Sequence, residues 1–462
     1  MNFWTRCRFD RGLAARDTNP KRQRGRHGIP VLSLQVSRAG HDARVHIMAC
    51  LIGLALCASH CRAENEANFG NAPRGRLMLL GGSERGDNLV LWSELARLAG
   101  ANGASDKRAR VAVFPTGSRI PERSGAAHSK HLQSLRLDPF VVPAVVTAER
   151  ADQYQVATDP QWVERVRQAD AVFLSGGNQS RYRQVLVDEQ GRDTPLLEAI
   201  RHIYRRGGLI AGTSAGAAVM SRVMYVDADY VLPVMLHGAH HGKGLAEGFG
   251  LVPQDWFIDQ HCLVRGRFAR ALVAMQTIET RFGLGIDENT AVVIEEGKTA
   301  RVVGFRGMVV LDLSESTKDT TAARFNLKKA RLSFLSHGDQ IDLATRVVTV
   351  DPEKAAHDKI DPRQAGFDPF YKKPQFFNDV LGNMALVDLM YKLVDSPHDE
   401  AIGLAFDGSA ARRGDTEGFE FRFYRGPDTV SWDVHRPHGD SHTVKNVYLD
   451  IRPITIHGPL YE

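Results

Sequence analysis

The sequence is short of cysteine, of long apolar runs and, outside its first 63 residues, of net charge. Four of its five cysteines lie in that first segment, which leaves Cys262 alone in residues 64–462 and excludes a disulfide within them. The apolar run at residues 47–58 is too short to span a bilayer. Residues 1–63 hold 11 Lys and Arg against three Asp and Glu, so residues 64–462 carry a net charge of −3 and give no reason to expect nucleic-acid binding.

The N-terminal segment has the features of an export signal. A basic and polar stretch over residues 1–46 precedes the apolar run, and residues 61–63, Cys-Arg-Ala, form a small-x-Ala cleavage pattern. We therefore expect residues 1–63 to be an N-terminal extension with a signal peptide. The exported protein, periplasmic or extracellular, would then keep no stable membrane insertion.

From residue 75 onward, apolar runs alternate with segments of helical spacing. The apolar runs predict strands at 76–80, 110–114, 140–146, 171–174 and 208–211, and the spacing predicts helices at 89–98, 161–167 and 196–206. Continuous apolar strands separated by amphipathic helices predict an α/β three-layer sandwich with a mostly parallel central sheet. Functional sites in such sheets lie at the carboxyl ends of the strands.

The second half of the chain predicts a more β-rich structure. Helical spacing covers 265–282, a strand is predicted at 284–286, and hairpins are predicted at 291–310. Beyond these, 315–375 is polar and irregular, 374–394 predicts a helix, and 418–433 and 443–456 predict strands. We expect a catalytic domain over residues 64–314 and a C-terminal β-rich extension of unknown role over 315–462.

The segment Gly212-Thr213-Ser214-Ala215-Gly216 lies between a predicted strand and a predicted helix. A G-x-S-x-G pattern in that place is typical of a nucleophile elbow, whose tight turn presents the serine hydroxyl at the sheet edge. The N–H group of Ala215 would then point at a forming oxyanion. The alternative is a glycine-rich turn with an incidental serine, because this short pattern also occurs by chance.

One histidine and three arginines follow the next strand-like run, residues 256–260. His261 is the candidate general base that a serine nucleophile requires. Arg265, Arg267 and Arg270 lie near a predicted helix start, where cations oppose the helix dipole. The alternatives are a solvated basic surface and a site that binds substrate carboxylates through guanidinium groups.

Three further histidines, His237, His240 and His241, cluster in a glycine-rich segment. They lack the regular spacing and the nearby acid of a metal site, so we interpret them as part of a solvated loop. We expect no metal ion and no organic cofactor.

Four motifs, in order along residues 75–310, together resemble the cyanophycinase and dipeptidase E family of serine exopeptidases. They are Gly-Gly-Asn-Gln at 176–179, Gly-Thr-Ser-Ala-Gly-Ala at 212–217, Asp-Gln-His at 259–261 with the trailing arginines, and Gly-Ile-Asp-Glu at 285–288. The third motif is the most specific one. The resemblance implies a class I glutamine amidotransferase-like fold and hydrolysis of cyanophycin, a poly-aspartate with arginine on its side chains, to β-Asp-Arg dipeptides.

The resemblance also implies roles for residues of this sequence. Ser214 would be the nucleophile and His261 the general base, with Glu288, or less directly Asp287, orienting the imidazole. The N–H groups of Ala215 and Gly177 would form the oxyanion hole. The implied substrate-binding residues are Gln179, Asp259, Gln260, Arg265, Arg267 and Arg270.

Two other functions stay open on the sequence alone. An exopeptidase for other β-aspartyl or aspartate-rich peptides could use the same three residues with a different groove. A non-catalytic binding protein on the same fold would be expected to lack one of them, whereas Ser214, His261 and Glu288 are all present in order. A homodimer is also left open, and Cys262, if it is accessible, is an expected site of oxidation.

Overall fold

The computed structural model describes residues 75–100, 108–146, 154–226, 230–357, 359–434 and 441–460, which all fall in one compact unit, Ala72–Glu462. The signal peptide predicted over residues 1–63 lies outside the described residues. No helix in these described ranges is long and apolar enough to cross a membrane.

The described residues form strands and helices that are numbered here in chain order. The strands are β1 (Arg76–Leu80), β2 (Arg110–Phe114), β3 (Asp138–Val141), β4 (Ala171–Leu174), β5 (Leu209–Thr213), β6 (Val223–Tyr225), β7 (His240–His241), β8 (Gly244–Glu247), β9 (Trp256–Gln260), β10 (Phe282–Ile286), β11 (Thr290–Glu295), β12 (Thr299–Gly304), β13 (Met308–Asp312), β14 (Leu327–Leu335), β15 (Gln340–Asp342), β16 (Val348–Thr349), β17 (Lys359–Ile360), β18 (Phe376–Phe377), β19 (Glu400–Phe406), β20 (Thr416–Val434) and β21 (Ser441–Ile456). The helices are α1 (Leu89–Ala99), α2 (Pro121–Ser134), α3 (Gln155–Thr158), α4 (Pro160–Arg167), α5 (Ser180–Leu186), α6 (Pro195–Arg205), α7 (Ala215–Ala218), α8 (Val231–His237), α9 (Phe268–Thr277), α10 (Pro352–Ala355), α11 (Ala385–Val394) and α12 (Gly408–Ala411).

The first large sheet has the strand order β16-β15-β12-β11-β1-β5-β4-β2-β3. Its strands β1, β5, β4, β2 and β3 run parallel, and β11, β12, β15 and β16 extend it as antiparallel strands. Successive side chains of a strand point to opposite faces, so one buried strand supplies two cores. Leu77 and Leu79 of β1 belong to the same buried cluster as Ile200 of α6, whereas Met78 and Leu80 belong to the cluster that includes Leu91 of α1. The α/β fold with a parallel central sheet is confirmed.

The second large sheet has the order β18-β19-β20-β21-β14-β13-β10-β9, and β17 pairs with β20. Strands β9 and β10 are parallel neighbours, and β10 pairs with β13 on its other side. Strand β13 pairs with β14, so the sheet continues across residue 314. Most of this sheet is built by residues beyond 314, which confirms a β-rich C-terminal part, whereas the division into two domains stays a prediction.

Two local predictions in the C-terminal part are wrong. Residues 315–375 were expected to be irregular, but they contain β14, a strand of nine residues. Its register shifts between Leu327 and Ala330, where Lys329 has a φ of +59°, and this bulge hides the alternation of a strand. The helix predicted over 374–394 begins only at Ala385, because Met384 adopts a left-handed backbone conformation.

Two predicted boundaries before the C-terminal part also differ. The helical spacing at 265–282 covers a shorter helix, α9, and Phe282 already belongs to β10. Gly266, with a φ of +59°, lies in the turn that precedes this helix. The strand predicted at 140–146 is β3, which ends at Val141.

Candidate active site

Ser214 lies at the carboxyl end of β5, directly before α7. Its backbone has a φ of +52° and a ψ of −110°, a region that costs a non-glycine residue about 1–3 kcal/mol. The Ser214 N–H group donates to the Leu80 carbonyl at 2.9 Å, which fixes the turn against the neighbouring strand β1. The sequence therefore folds here into the strained strand–turn–helix that a nucleophile elbow requires.

His261 and Glu288 lie at the same edge of the second sheet. Strands β9 and β10 are parallel, with Gln260 opposite Ile286, so the residues that follow them emerge side by side. The Nε2 atom of His261 is 2.8 Å from Oγ of Ser214, and its Nδ1 atom is 2.7 Å from Oε1 of Glu288. A carboxylate only accepts hydrogen bonds, so Nδ1 carries the proton and Nε2 accepts from the Ser214 hydroxyl.

The imidazole of His261 is almost enclosed, with 6% of the residue exposed. Burial lowers the pKa of His261 to about 4, and the nearby charge of Arg265 acts in the same direction, while the hydrogen bond to Glu288 opposes both. The imidazole is consequently neutral at pH 7. A neutral imidazole whose Nε2 faces a hydroxyl is able to accept that hydroxyl's proton.

Gly82 packs directly against the imidazole of His261. A Cβ atom at this position would lie 2.2 Å from Cε1 of His261, and the φ of Gly82 is +106°. The Asn289 N–H group donates to the Gly82 carbonyl at 3.0 Å, and the His261 N–H group donates to Gly81 at 3.0 Å. The glycine pair after β1 therefore packs against the ring and is tied by hydrogen bonds to the backbones of His261 and Asn289.

Asp287, the second candidate for orienting His261, occupies a different place. Its Oδ1 atom accepts the backbone N–H groups of Leu263 and Val264 at 2.9 and 3.0 Å, and its Oδ2 atom is 3.3 Å from Nη1 of Arg306. The side chain is fully buried, and this burial raises its pKa. Asp287 thus anchors the segment that follows His261, and the carboxylate at the imidazole is that of Glu288.

The expected oxyanion-hole groups lie around the elbow. Ala215 is the first residue of α7, and the first N–H groups of a helix have no partner within the helix. A Cβ atom on Gly176 would lie 4.0 Å from Oγ of Ser214, so this glycine borders the hydroxyl. Gly177, the residue expected from the sequence, packs against Gly117 with a φ of +134°. Its role stays a prediction.

Three of the expected substrate-binding residues are held by contacts within the protein. The guanidinium of Arg270 donates to both carboxylate oxygens of Asp259, each at 2.8 Å, and both residues are buried. The ring of Tyr225 lies 4.5 Å below the same guanidinium, and the Gln179 amide donates to the Tyr225 carbonyl. Asp259, Gln179 and Arg270 therefore form an internal support, and their contact with a substrate stays a prediction.

The two other arginines differ in exposure. Arg267 is mostly buried and donates from Nη1 to the backbone and side-chain oxygens of Gln260. Half of the Arg265 side chain is exposed, and its Nη2 atom is 3.8 Å from Oε1 of Glu288. Of the three arginines, Arg265 is thus the one whose guanidinium is most available to a substrate carboxylate.

Glu84 is a residue of this site that the sequence analysis missed. Its Oε1 atom accepts the Gly82 N–H group at 2.7 Å, and its Oε2 atom accepts the Thr213 hydroxyl at 2.7 Å. Burial raises the pKa of Glu84, and the charge of Glu288 adds to the effect. Glu84 connects the glycine that packs on His261 with the residue before Ser214. Its only signal in the sequence is its place just after Gly81-Gly82, at the end of a strand.

Other candidate groups lie away from this chemistry. Among the described residues, no group of three His, Cys, Asp or Glu side chains could hold a metal ion. His237 ends α8, and His240 and His241 form the exposed strand β7. Cys262 is fully buried next to Gly285, and burial raises the pKa of its thiol, so the accessibility that oxidation requires is lacking.

Comparison with known proteins shows the family to which the chain belongs. Residues 77–302 match peptidase family S51. A cyanophycinase of Trichormus variabilis is 30% identical over 286 residues, which cover 60% of this chain and 88% of that protein. The chain belongs to peptidase family S51. As a member of this family it is a serine-type peptidase, in agreement with the serine elbow.

Two further similar proteins cover a similar share of this chain. A cyanophycinase of Geminocystis herdmanii is 30% identical to this S51 peptidase over 281 residues, 59% of this chain and 95% of that protein. A crystal structure of a peptidase from an acI-B1 Actinobacterium covers 60% of the chain and 100% of its own, with 22% identity and a TM-score of 0.43. The family match ends at residue 302, so most of the second sheet of this S51 peptidase lies beyond it.

Proposed function

We propose that this chain is an exported serine exopeptidase that hydrolyses cyanophycin to β-Asp-Arg dipeptides. The observation that carries the proposal is the continuous set of hydrogen bonds from Ser214 through His261 to Glu288, with lengths of 2.8 and 2.7 Å. The substrate is suggested by two relatives named cyanophycinase, of which the chain covers 88% and 95%.

In the first chemical step, Oγ of Ser214 would attack the carbonyl carbon of the scissile amide while its proton passes to Nε2 of His261. The imidazolium formed in this way is stabilised by the carboxylate of Glu288 at Nδ1. The negative charge moves to the carbonyl oxygen, where the N–H groups of Ala215 and of the 176–177 segment would receive it.

In the second step, the imidazolium would donate its proton to the leaving nitrogen as the C–N bond breaks, which leaves an acyl ester on Ser214. Water would then attack the ester, with His261 again taking one proton and returning it to Oγ of Ser214. The products are a free amine, a carboxylate and the unchanged enzyme. No metal ion or cofactor is required to balance either step.

The positive charge of the segment after His261 favours an acidic substrate. The free carboxylate of a terminal aspartate would pair with Arg265, whose side chain is half exposed and lies next to Glu288. Asp259, held between Arg270 and Arg267, would keep this segment rigid by fixing the two buried guanidinium groups. Export would rest on the signal peptide that the first 63 residues predict.

The proposed reaction is tested by incubating the purified chain with insoluble cyanophycin and identifying the released products by mass spectrometry. We expect β-Asp-Arg from the wild type, and a rate about 10⁶-fold lower from Ser214→Ala, because triad residues act as a unit. Ser221→Ala is the matched control, since Ser221 is a buried serine close to the elbow whose hydroxyl has no hydrogen-bond partner among the described residues. Equal rates for Ser214→Ala and the control would refute the assignment of the nucleophile.

A second candidate is an exopeptidase for small β-aspartyl or aspartate-rich peptides. It is favoured by the burial of Arg267 and Arg270 against Gln260 and Asp259, which leaves Arg265 as the exposed guanidinium of the three. One guanidinium suffices for one terminal carboxylate. Cleavage of β-Asp-Leu or β-Asp-Ala dipeptides without release of β-Asp-Arg from the polymer would favour this candidate.

A further inference from the structure

The C-terminal part of the chain touches the segment that follows the candidate base. Residues 379–384, named here the docking loop, lie between β18 and α11. Residues 261–267, which begin with His261 and carry Arg265 and Arg267, are named the basic loop. The family match ends at residue 302, so the docking loop lies outside the part of the chain that matches the family.

The two loops approach each other at van der Waals distance. A Cβ atom on Gly266 would lie 2.5 Å from the carbonyl oxygen of Leu381 and 2.7 Å from its Cβ atom. Gly266 also has a φ of +59°, which other residues rarely adopt. The Met384 N–H group donates to the Leu263 carbonyl at 3.4 Å, which gives the contact a second point. No side chain fits between the two backbones here.

A polar connection runs beside this contact. Nη1 of Arg306 donates to Oδ1 of Asn383 at 3.0 Å and lies 3.3 Å from Oδ2 of Asp287. Asp287 in turn accepts the N–H groups of Leu263 and Val264 in the basic loop. The exposed amide of Asn383 therefore aims a guanidinium at the buried carboxylate that anchors the basic loop.

We propose that the docking loop positions the basic loop for substrate binding, with Asn383 as a positioning residue that acts through Arg306 and Asp287. This inference deepens the proposed function, because the basic loop carries the arginine expected to bind the substrate carboxylate. Without Asn383, Arg306 would be free to turn toward solvent, and the backbone hydrogen bonds of the basic loop would open more often. The C-terminal part thereby becomes a component of the substrate site.

The first test measures amide hydrogen exchange of the peptide that covers the basic loop, in the full chain and without substrate. We expect Asn383→Ala and Arg306→Gln to raise its exchange rate about fivefold, as the loss of about 1 kcal/mol in local stability predicts. Asn383→Asp should retain protection, since a carboxylate also accepts from Arg306. Asn378→Ala is the matched control, because Asn378 is an exposed asparagine outside the docking loop.

The second test measures kcat and KM with whichever substrate the wild type hydrolyses. We expect Asn383→Ala to raise KM about threefold to tenfold and to leave kcat within a factor of about two, because loss of uniform binding changes KM alone. Unchanged exchange in the basic loop, or faster exchange spread evenly over the second sheet, would overturn the proposal. Failure of the wild type to release β-Asp-Arg would instead count against the proposed function, since the exchange test requires no activity.

Discussion

Because folding keeps His261 neutral, acidification should reduce the stability of the folded chain at pH values well above those at which most carboxylates titrate. The folded state holds the pKa of His261 at about 4, chiefly by burial, whereas an unfolded histidine has a pKa of about 6.5. The neutral form is therefore favoured by folding. Its contribution to stability is fully present above pH 6.5 and is lost as the pH falls toward 4.

The size of this effect follows from the two pKa values. Between pH 7 and pH 5 the unfolded histidine becomes almost fully charged while the folded one stays neutral, which corresponds to about 2 kcal/mol. Over the whole interval down to pH 4 the contribution approaches about 3 kcal/mol, at about 1.4 kcal/mol for each pKa unit. Only 6% of His261 is exposed, so solvent screens this difference weakly.

The assay is urea unfolding of the wild type and of His261→Gln at pH 7 and at pH 5. The wild type should lose about 2 kcal/mol more than the variant on acidification, because glutamine does not titrate. The comparison removes the contributions of all other histidines, which both proteins share. An identical loss in the two proteins would refute the argument that burial keeps His261 neutral.

Three further predictions concern the same site. Arg265→Gln removes a positive charge near His261, so the pKa of His261 should rise and the acid limb of the kcat/KM profile should move to higher pH. Arg413→Gln is the control, and a shift of the acid limb to lower pH in Arg265→Gln would contradict this reasoning. Glu288→Gln should lower kcat about 10³–10⁴-fold with an unchanged circular dichroism spectrum, because the imidazolium loses its counter-charge; a normal kcat would remove Glu288 from this role. Glu84→Ala should lower kcat about tenfold, because the Gly82 N–H group loses its acceptor. Glu84→Gln still accepts one hydrogen bond and should lower kcat less. Equal kcat values for Glu84→Ala and the wild type would argue against this positioning role.

The sequence predicted the parts of the site that follow from strand ends. Apolar runs mark β5, β9 and β10, and Ser214, His261 and Glu288 each come within two residues of such a run. Parallel pairing of β9 with β10 brings His261 and Glu288 side by side, whereas Ser214 follows a strand of the first sheet. The ends of these strands could be predicted from the sequence because each strand is a short, buried and uninterrupted apolar run.

The sequence could not predict which polar side chains bind one another. The pairing of Arg270 with Asp259 depends on the direction in which a helix and a strand present their side chains, and burial then decides that each neutralises the other. The fold of residues 327–456 was obscured for a similar reason. Strand β14 pairs with β21, more than 100 residues away, and its bulge at Lys329 disrupts the alternation that would reveal it.

The distribution of the three hydrogen-bonded residues over two sheets has a consequence for heat inactivation. Ser214 belongs to the first sheet, while His261 and Glu288 belong to the second, and the two sheets share one apolar core that includes Leu79 and Ile258. A small slide at this core would lengthen the 2.8 Å contact between Oγ and Nε2 without breaking either sheet. Catalytic activity should therefore fade at temperatures at which the circular dichroism of both sheets is still native.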